Sequence, residues 1–506
     1  MRIPLNLESP VPLYQQIQGF LRTQIESGSL PSEMRLPATR TLAASLGVSR
    51  ITVTNAYADL EAEGLIYMRP GSGTFVSPTQ GATYPMLKSR DRASDWPLWQ
   101  QELLSRTWLP TYRELESLLT QVTHPEPISF TAGLGALEIF PVEEFRKTMN
   151  TTLRREGYRA FEYGDRAGNP TLRATIAHIL TNQGIPTTHN EVLITSGSQQ
   201  AMALVAGLIL RPGDIVVVES PTYVGAIDLF RSLDVRLLGV PMDKHGMIID
   251  SLDEILQTSR PRLIYTIPTF HNPTGSCMSA TRRRRLVDLA SRYDVPILED
   301  DCFGDLRFEG RALPALKALD TDGNVIYTNT FSKVLMPGLR IGFLVASGPI
   351  YEGLIACKHA SDLVTCNPIQ RALDAYLSVG RYQAHARRTC RLYRQRRDAM
   401  VKALERHLAT DVRWHTPRGG LFIWLHLPEG CSANDLFTFA GKEGVTYAPG
   451  SLFFPGEREQ PFLRLNFTIN QPEIIEEGIR RLGRALDRYL ASDDKPPNQR
   501  PRPVAI

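Results

Sequence analysis

Apolar positions recur at helical spacing in LYQQIQGFLRTQI, from Leu13 to Ile25, and GSLP closes that stretch. A second, shorter helix is predicted after Pro37 in ATRTLAASL, ending at Gly47. Ser49 then offers an N-cap to a third, SRITVTNAYADLEAEG, which stops at Gly64. LIYMRPGSGTFV follows as two short extended runs around a glycine-rich tip, the pattern of a hairpin. From Ser77 to Pro127 periodicity gives way to Pro, Ser, Gly and scattered charge, interrupted by two amphipathic pieces, WPLWQQELL and YRELESLLT. Such a stretch predicts a partly helical tether, with Trp96, Trp99 and Trp108 docked on a neighbouring surface.

Beyond Ile128 the pattern alternates. VLIT, IVVVE, LIYTIP, PILED, VIYTN and GFLVA are apolar, β-branched-rich runs separated by helical stretches. Strands of this kind are buried on both faces, which predicts a largely parallel sheet with helices on either side. The terminal DDKPPNQRPRPVAI predicts a disordered tail. The expected organisation is therefore a small unit at 1–80, a linker at 81–127, a large unit at 128–491 and a tail at 492–506.

At 506 residues, 42% hydrophobic and 22% charged, the chain has globular usage and room for two or three folded units. A net charge of +4 argues neither for nor against nucleic acid. Six cysteines without a CxxC pair fit a reducing compartment and give no zinc signature. The opening MRIPLNLESP lacks the apolar core of a signal peptide, and the longest apolar run, AMALVAGLIL, is too short to span a membrane. A soluble, cytoplasmic protein without a metal site is expected.

Charge placement is more informative in the first eighty residues. Two helices joined by a tight glycine turn, the second opening with small, polar and basic side chains, make a helix-turn-helix whose recognition helix runs from Ser49 to Glu63, with the hairpin as a wing. Arg35, Arg40, Arg50 and Arg69 fall at turns and helix starts, where phosphates and groove edges would lie. Six arginines balance six acids over this segment, and Asp59, Glu61 and Glu63 sit at the far end of the recognition helix. A three-helix interaction module is the blander alternative.

In the large unit the chemistry centres on TNTFSKVLMPGLRIGF, Thr328 to Phe343. Lys333 lies between two apolar runs, and desolvation of a lysine lowers its pKa and makes it a Schiff-base nucleophile. Thr330, Ser332 and Arg340 could clasp a phosphate beside it. A ligand that is both an aldehyde and a phosphate ester fits that set, namely pyridoxal phosphate. TSGSQQA adds a second anion turn, in which Gly197 lets the amides of Ser198 and Gln199 face a phosphate at a helix start. Tyr223 offers a stacking face, Asn272 a donor to a ring oxygen, and Asp300 a carboxylate to keep a pyridine nitrogen protonated. His271 reads as an ordinary loop residue.

The stretch RLPATRTLAASLGVSRITVTNAYADLEAEGLIYMRPGSGTFV resembles the winged-helix domain of the GntR family, from about Pro12 to Val76. That resemblance implies operator DNA bound by a dimer, with Thr39, Arg40, Ser49, Arg50 and Thr52 at the groove or phosphates, Arg35 and Arg69 nearby, and Gly71, Ser72 and Gly73 at the wing tip. From Ile128 to Leu490 the order of phosphate turn, aromatic, asparagine, aspartate, lysine and arginine resembles the class I/II aminotransferases. This implies an α/β fold of the type I pyridoxal-phosphate transferases with a smaller C-terminal α+β subdomain. It assigns Lys333 to the Schiff base, Asp300 to the pyridine nitrogen, Asn272 to the ring oxygen and Tyr223 to stacking. Ser198, Gln199, Thr330, Ser332 and Arg340 take the phosphate.

YGDRAGNPTLRATIA resembles the segment whose tyrosine, here Tyr163, crosses to the partner subunit's phosphate, and FLRLNF makes Arg464 the grip for an amino-acid carboxylate. One departure stands out. The family's tyrosine two or three residues after the pyridine aspartate is replaced by Cys302 or Phe303, which puts efficient turnover in doubt but not cofactor binding. The whole chain resembles the MocR/GabR group of bacterial transcription regulators. It implies a homodimer sensing a small amine, an amino acid or pyridoxal phosphate itself, with exchange of the heads left open; a working aminotransferase with an accessory head is the alternative.

Overall fold

The computed structural model describes residues 3–6, 11–69, 72–77, 97–99, 101, 110–120, 122, 124–408, 411–456 and 461–492. The chain divides into two compact units, Met1–Arg106 and Thr107–Ile506. The expected tail falls almost wholly outside the described residues, as do Trp96 and Trp108, while Trp99 is exposed.

In the first unit, helices Leu13–Glu26, Thr39–Leu46 and Arg50–Ala62 precede the hairpin Ile66–Arg69 and Gly73–Val76. Ile17 and Leu21, one turn apart, meet Leu42, Val53, Tyr57 and Leu60 in a sealed core. Gly47 ends the second helix at φ +67°, where a side chain would be strained, and so sets the tight turn. Two residues later the Ser49 hydroxyl accepts the Thr52 amide, a cap that stabilises the third helix by about 1 kcal/mol.

The second unit is built on an eight-stranded sheet. Its strands run in the order Val192–Thr195, Gly342–Val345, Val325–Thr330, Ile297–Asp300, Leu263–Thr266, Ile215–Ser220, Arg236–Asp243 and Gly246–Met247. Neighbours are parallel except Gly342–Val345, which opposes both of its partners, and the terminal hairpin strand. Apolar side chains on both faces pack against helices, among them Ser198–Ile209 on one side and Ala280–Tyr293 on the other, as the unbroken apolar runs require. A C-terminal four-stranded sheet, Arg413–Trp414, Phe422–His426, Phe462–Asn466 and Ala448–Pro449, carries helices Ala433–Lys442 and Pro472–Ala491.

The helix Pro110–Thr120 lies inside the stretch expected to be linker, yet it belongs to the second unit. Leu115 packs against the cluster of Ala448, Leu452 and Phe453, and Glu114 accepts a hydrogen bond from Ser451 at 3.1 Å. An amphipathic helix beside an apolar surface buries its stripe there rather than in water, so the ordered body begins before Ile128.

Candidate functional site

The parallel strands all end on one rim of the large sheet, and the loops leaving them converge there. With one exception, every residue expected at the cofactor lines a single cavity of about 630 Å³. Lys333 enters from the loop after Val325–Thr330, and its Nζ donates to the Gly133 carbonyl at 2.9 Å. Burial lowers its pKa below the ordinary lysine value; Cys302 and Asp300 oppose that shift, and Arg464 and Arg340 reinforce it.

Asp300 ends its strand as a sealed carboxylate with two donors, Tyr265 Oη at 3.0 Å on Oδ2 and Cys302 Sγ at 2.7 Å on Oδ1. Burial raises its pKa, while those two donors pull it back down. A cation placed against it would be held strongly, because the carboxylate is oriented and out of water. Tyr265 escapes the sequence reading, since its role depends on side-by-side packing of Leu263–Thr266 and Ile297–Asp300. With its one proton on Asp300, Cys302 Sγ accepts from the Ser198 hydroxyl at 3.2 Å, so the sulfur links Asp300 to Ser198. Phe303 packs edge-on against Phe422 with centroids 5.8 Å apart and presents no hydroxyl.

The residues expected at a phosphate come together where two loops meet across adjacent strands. Gly197 caps helix Ser198–Ile209 at φ +103°, and a Cβ there would lie 2.9 Å from Arg340 Nη2. Arg340 itself donates to the Ser196 carbonyl at 2.7 Å. Thr330 Oγ1 and Ser332 Oγ are 2.9 Å apart. The Gln199 side chain is spent on the Gly225 carbonyl at 3.1 Å, which leaves its backbone amide for an anion. Gly225 is bare for a reason: a Cβ would stand 2.5 Å from the Tyr223 ring. Burial, first of all, pushes the Tyr223 phenol up to about 12, so it stays neutral as a stacking face.

Arg464 lines the same cavity as Lys333. Nη1 donates to Asn272 Oδ1 at 2.9 Å and Nη2 to the Thr131 carbonyl at 2.6 Å, while Nε has no partner. The guanidinium lies 4.1 Å from the Phe422 ring centroid and 4.8 Å from that of Phe453. Burial lowers its pKa to about 9, so it is still charged at neutral pH. Among the described residues no carboxylate pairs with it, and an unpaired buried cation is a strong draw for an anion. Because Asn272 spends its oxygen on Arg464, its NH2 is what it has left to offer a ligand. His271, expected to be an ordinary loop residue, is instead sealed beneath this loop, with Nε2 3.1 Å from Glu219 Oε2.

Tyr163 is the exception. It is 82% exposed and outside the cavity, near the similarly exposed Tyr158 and Phe161 in sequence. Among the described residues no cluster of His, Cys, Asp and Glu could hold a metal, and no helix is long and apolar enough to cross a membrane.

On the head, Arg40 and Arg50 are exposed at the starts of the second and third helices, and Thr39 is half-buried. Thr52 is half-buried too, its Oγ1 2.8 Å from the Ser49 hydroxyl. Arg69 lies over the Tyr67 and Phe75 rings at 5.3 and 5.6 Å and 3.7 Å from Glu33. Arg35 supports the wing, its Nε occupying the space a Cβ on Gly73 would take. Ser72 is exposed at the tip, and Gly71 lies outside the described residues. Ile51, 72% exposed beside Arg50, was not singled out by the sequence and presents an apolar contact on the recognition helix.

Residues 13–76 match the family of bacterial regulatory proteins, gntR family, and residues 131–482 match aminotransferase class I and II. The probable rhizopine catabolism regulatory protein MocR of Rhizobium meliloti is 32% identical over 95% of this chain and 95% of its own length. The chain belongs to the MocR-type GntR regulators. Its body is also similar to aromatic-amino-acid aminotransferase 1 of Thermococcus litoralis, 39% identical over 74% of this chain and 92% of the enzyme. The crystal structure of LysN, the α-aminoadipate aminotransferase of Thermus thermophilus complexed with N-(5'-phosphopyridoxyl)-L-leucine, superposes with a TM-score of 0.69 at 38% identity, over 75% of this chain and 95% of that one. The regulator therefore carries a pyridoxal-phosphate fold of type I, and the cavity fits that cofactor: an oriented acid, a desolvated lysine and a glycine cradle whose volume a Cβ would fill.

Proposed function

We propose that the body of this regulator senses a small amine or amino acid through pyridoxal phosphate, or senses that cofactor itself, and that occupancy changes how the heads engage operator DNA. When bound, the cofactor supplies an aldehyde that captures primary amines and a ring that withdraws electrons. Lys333, whose pKa burial lowers, would be the amine that captures it. Asp300 would keep a proton on the ring nitrogen, Asn272 would donate to the ring oxygen, and Ser198, Gln199, Thr330, Ser332 and Arg340 would surround the phosphate. The observation that carries the reading is Arg464, a sealed cation that shares a cavity with Lys333 and has no carboxylate partner among the described residues, which fits the carboxylate of an amino acid.

Regulation further requires that two arrangements of the chain differ in affinity for that ligand. A homodimer fits Tyr163, whose exposed phenol would reach the partner's phosphate; sedimentation at twice 56.6 kDa tests it. A cytoplasmic location fits the same reading. Sustained transamination is disfavoured because Phe303 has no phenol to hydrogen-bond to the ring oxygen.

Two variants test the division of labour. Lys333→Ala should abolish the visible absorbance of the cofactor-loaded chain and leave its far-ultraviolet dichroism unchanged. Arg50→Ala should weaken DNA binding by about tenfold or more and spare that absorbance. A parent protein that stays colourless when supplied with pyridoxal phosphate defeats the reading.

A further inference from the structure

Four charged side chains line the cavity, and each has a task under the reading above: Lys333 for the aldehyde, Arg340 for the phosphate, Asp300 for the ring nitrogen and Arg464 for a carboxylate. No charged group among the described lining residues is left for a ligand's side chain. What remains is largely apolar, including Leu115, Leu119, Val224, Phe303 and Phe422. Leu115 and Leu119 are one turn apart on helix Pro110–Thr120, so they share a face.

That face is continuous with the carboxylate anchor. Phe453, which packs with Leu115, also lies against the Arg464 guanidinium. An amino acid gripped at Arg464 with its amine toward Lys333 has this wall beside its side chain. Leu119 is still 40% exposed, so it has surface left to cover.

We infer that the effector is an α-amino acid with an uncharged, apolar side chain, read by Leu115 and Leu119 on the helix nearest the head in sequence. The inference rests on the amine-sensing reading. Each methylene moved from water onto such a wall is worth about fourfold in affinity, from roughly 0.8 kcal/mol per buried CH₂. Leucine should therefore exceed alanine by tens of fold. A side-chain carboxylate or ammonium would have to lose water against apolar groups without a partner.

The test uses the full chain loaded with pyridoxal phosphate and titrated with L-leucine, L-alanine, L-glutamate, L-lysine and an unbranched ω-amino acid, with cofactor absorbance as readout. Leucine should half-saturate at the lowest concentration, and Leu119→Ala should shrink the leucine-to-alanine ratio to a few fold. Tighter binding of glutamate, lysine or the ω-amino acid, or a ratio untouched by Leu119→Ala, overturns the inference and leaves amine sensing intact. Absorbance unmoved by every amino acid, with cofactor bound, overturns amine sensing and this inference together.

Discussion

Replacing Gly197 with alanine isolates the phosphate cradle. At φ +103° and ψ 167° the residue lies where an L side chain is strained by about 1–3 kcal/mol. The new Cβ would also stand 2.9 Å from Arg340 Nη2, so the guanidinium must retreat from the bond it makes to the Ser196 carbonyl. If the loop relaxes to relieve the strain, the Ser198 and Gln199 amides turn away and pyridoxal phosphate affinity falls by about 5- to 150-fold. If the fold absorbs the strain instead, the loss appears as a fall of several degrees in the melting temperature of the cofactor-free protein. Absorbance titration and thermal melts read both routes. Gly207→Ala, in the same helix with open space around it, is the control and should be neutral or slightly stabilising. Unchanged affinity and unchanged melting in Gly197→Ala would refute the assignment of that turn to the phosphate.

Arg464→Met should keep the cofactor but weaken amino-acid binding about 100-fold or more, since two charge-assisted bonds worth roughly 1.5 kcal/mol or more each are lost; the same absorbance titration measures it. Asp301 is a different case, because burial and the neighbouring Glu299 raise its carboxyl to about 8. The folded chain thus holds a proton that the unfolded chain releases, so this group's stabilising contribution is full at low pH and is lost as pH rises toward 8. Asp301→Asn should consequently gain melting temperature relative to the parent between pH 5 and 8, and a constant difference across that range would count against the raised pKa.

The sequence discloses the site wherever one residue acts through its own position. Lys333, Asp300, Asn272 and Arg464 are legible because each follows or sits within an apolar run at a strand end, and Ser49 is legible as a cap. Partners that depend on neighbouring strands are not. Tyr265 becomes a donor to Asp300 only once the strands align, and nothing local marks it, while Cys302 reads in the sequence as the place of an absent tyrosine and not as a donor. The strand Arg236–Asp243 escapes because RLLGVPMD carries a glycine and a proline within it. Leu115 and Leu119 read as a linker's amphipathic piece, since the surface that receives them lies more than a hundred residues further on.

The placement of helix Pro110–Thr120 also dictates where the protein can be dissected. Cutting at Ile128, where the apolar alternation begins, would strip away a wall of the ligand cavity and bare Leu452 and Phe453 to solvent. Scission just ahead of Thr107 leaves that wall in place, so an isolated ligand-sensing fragment should start there.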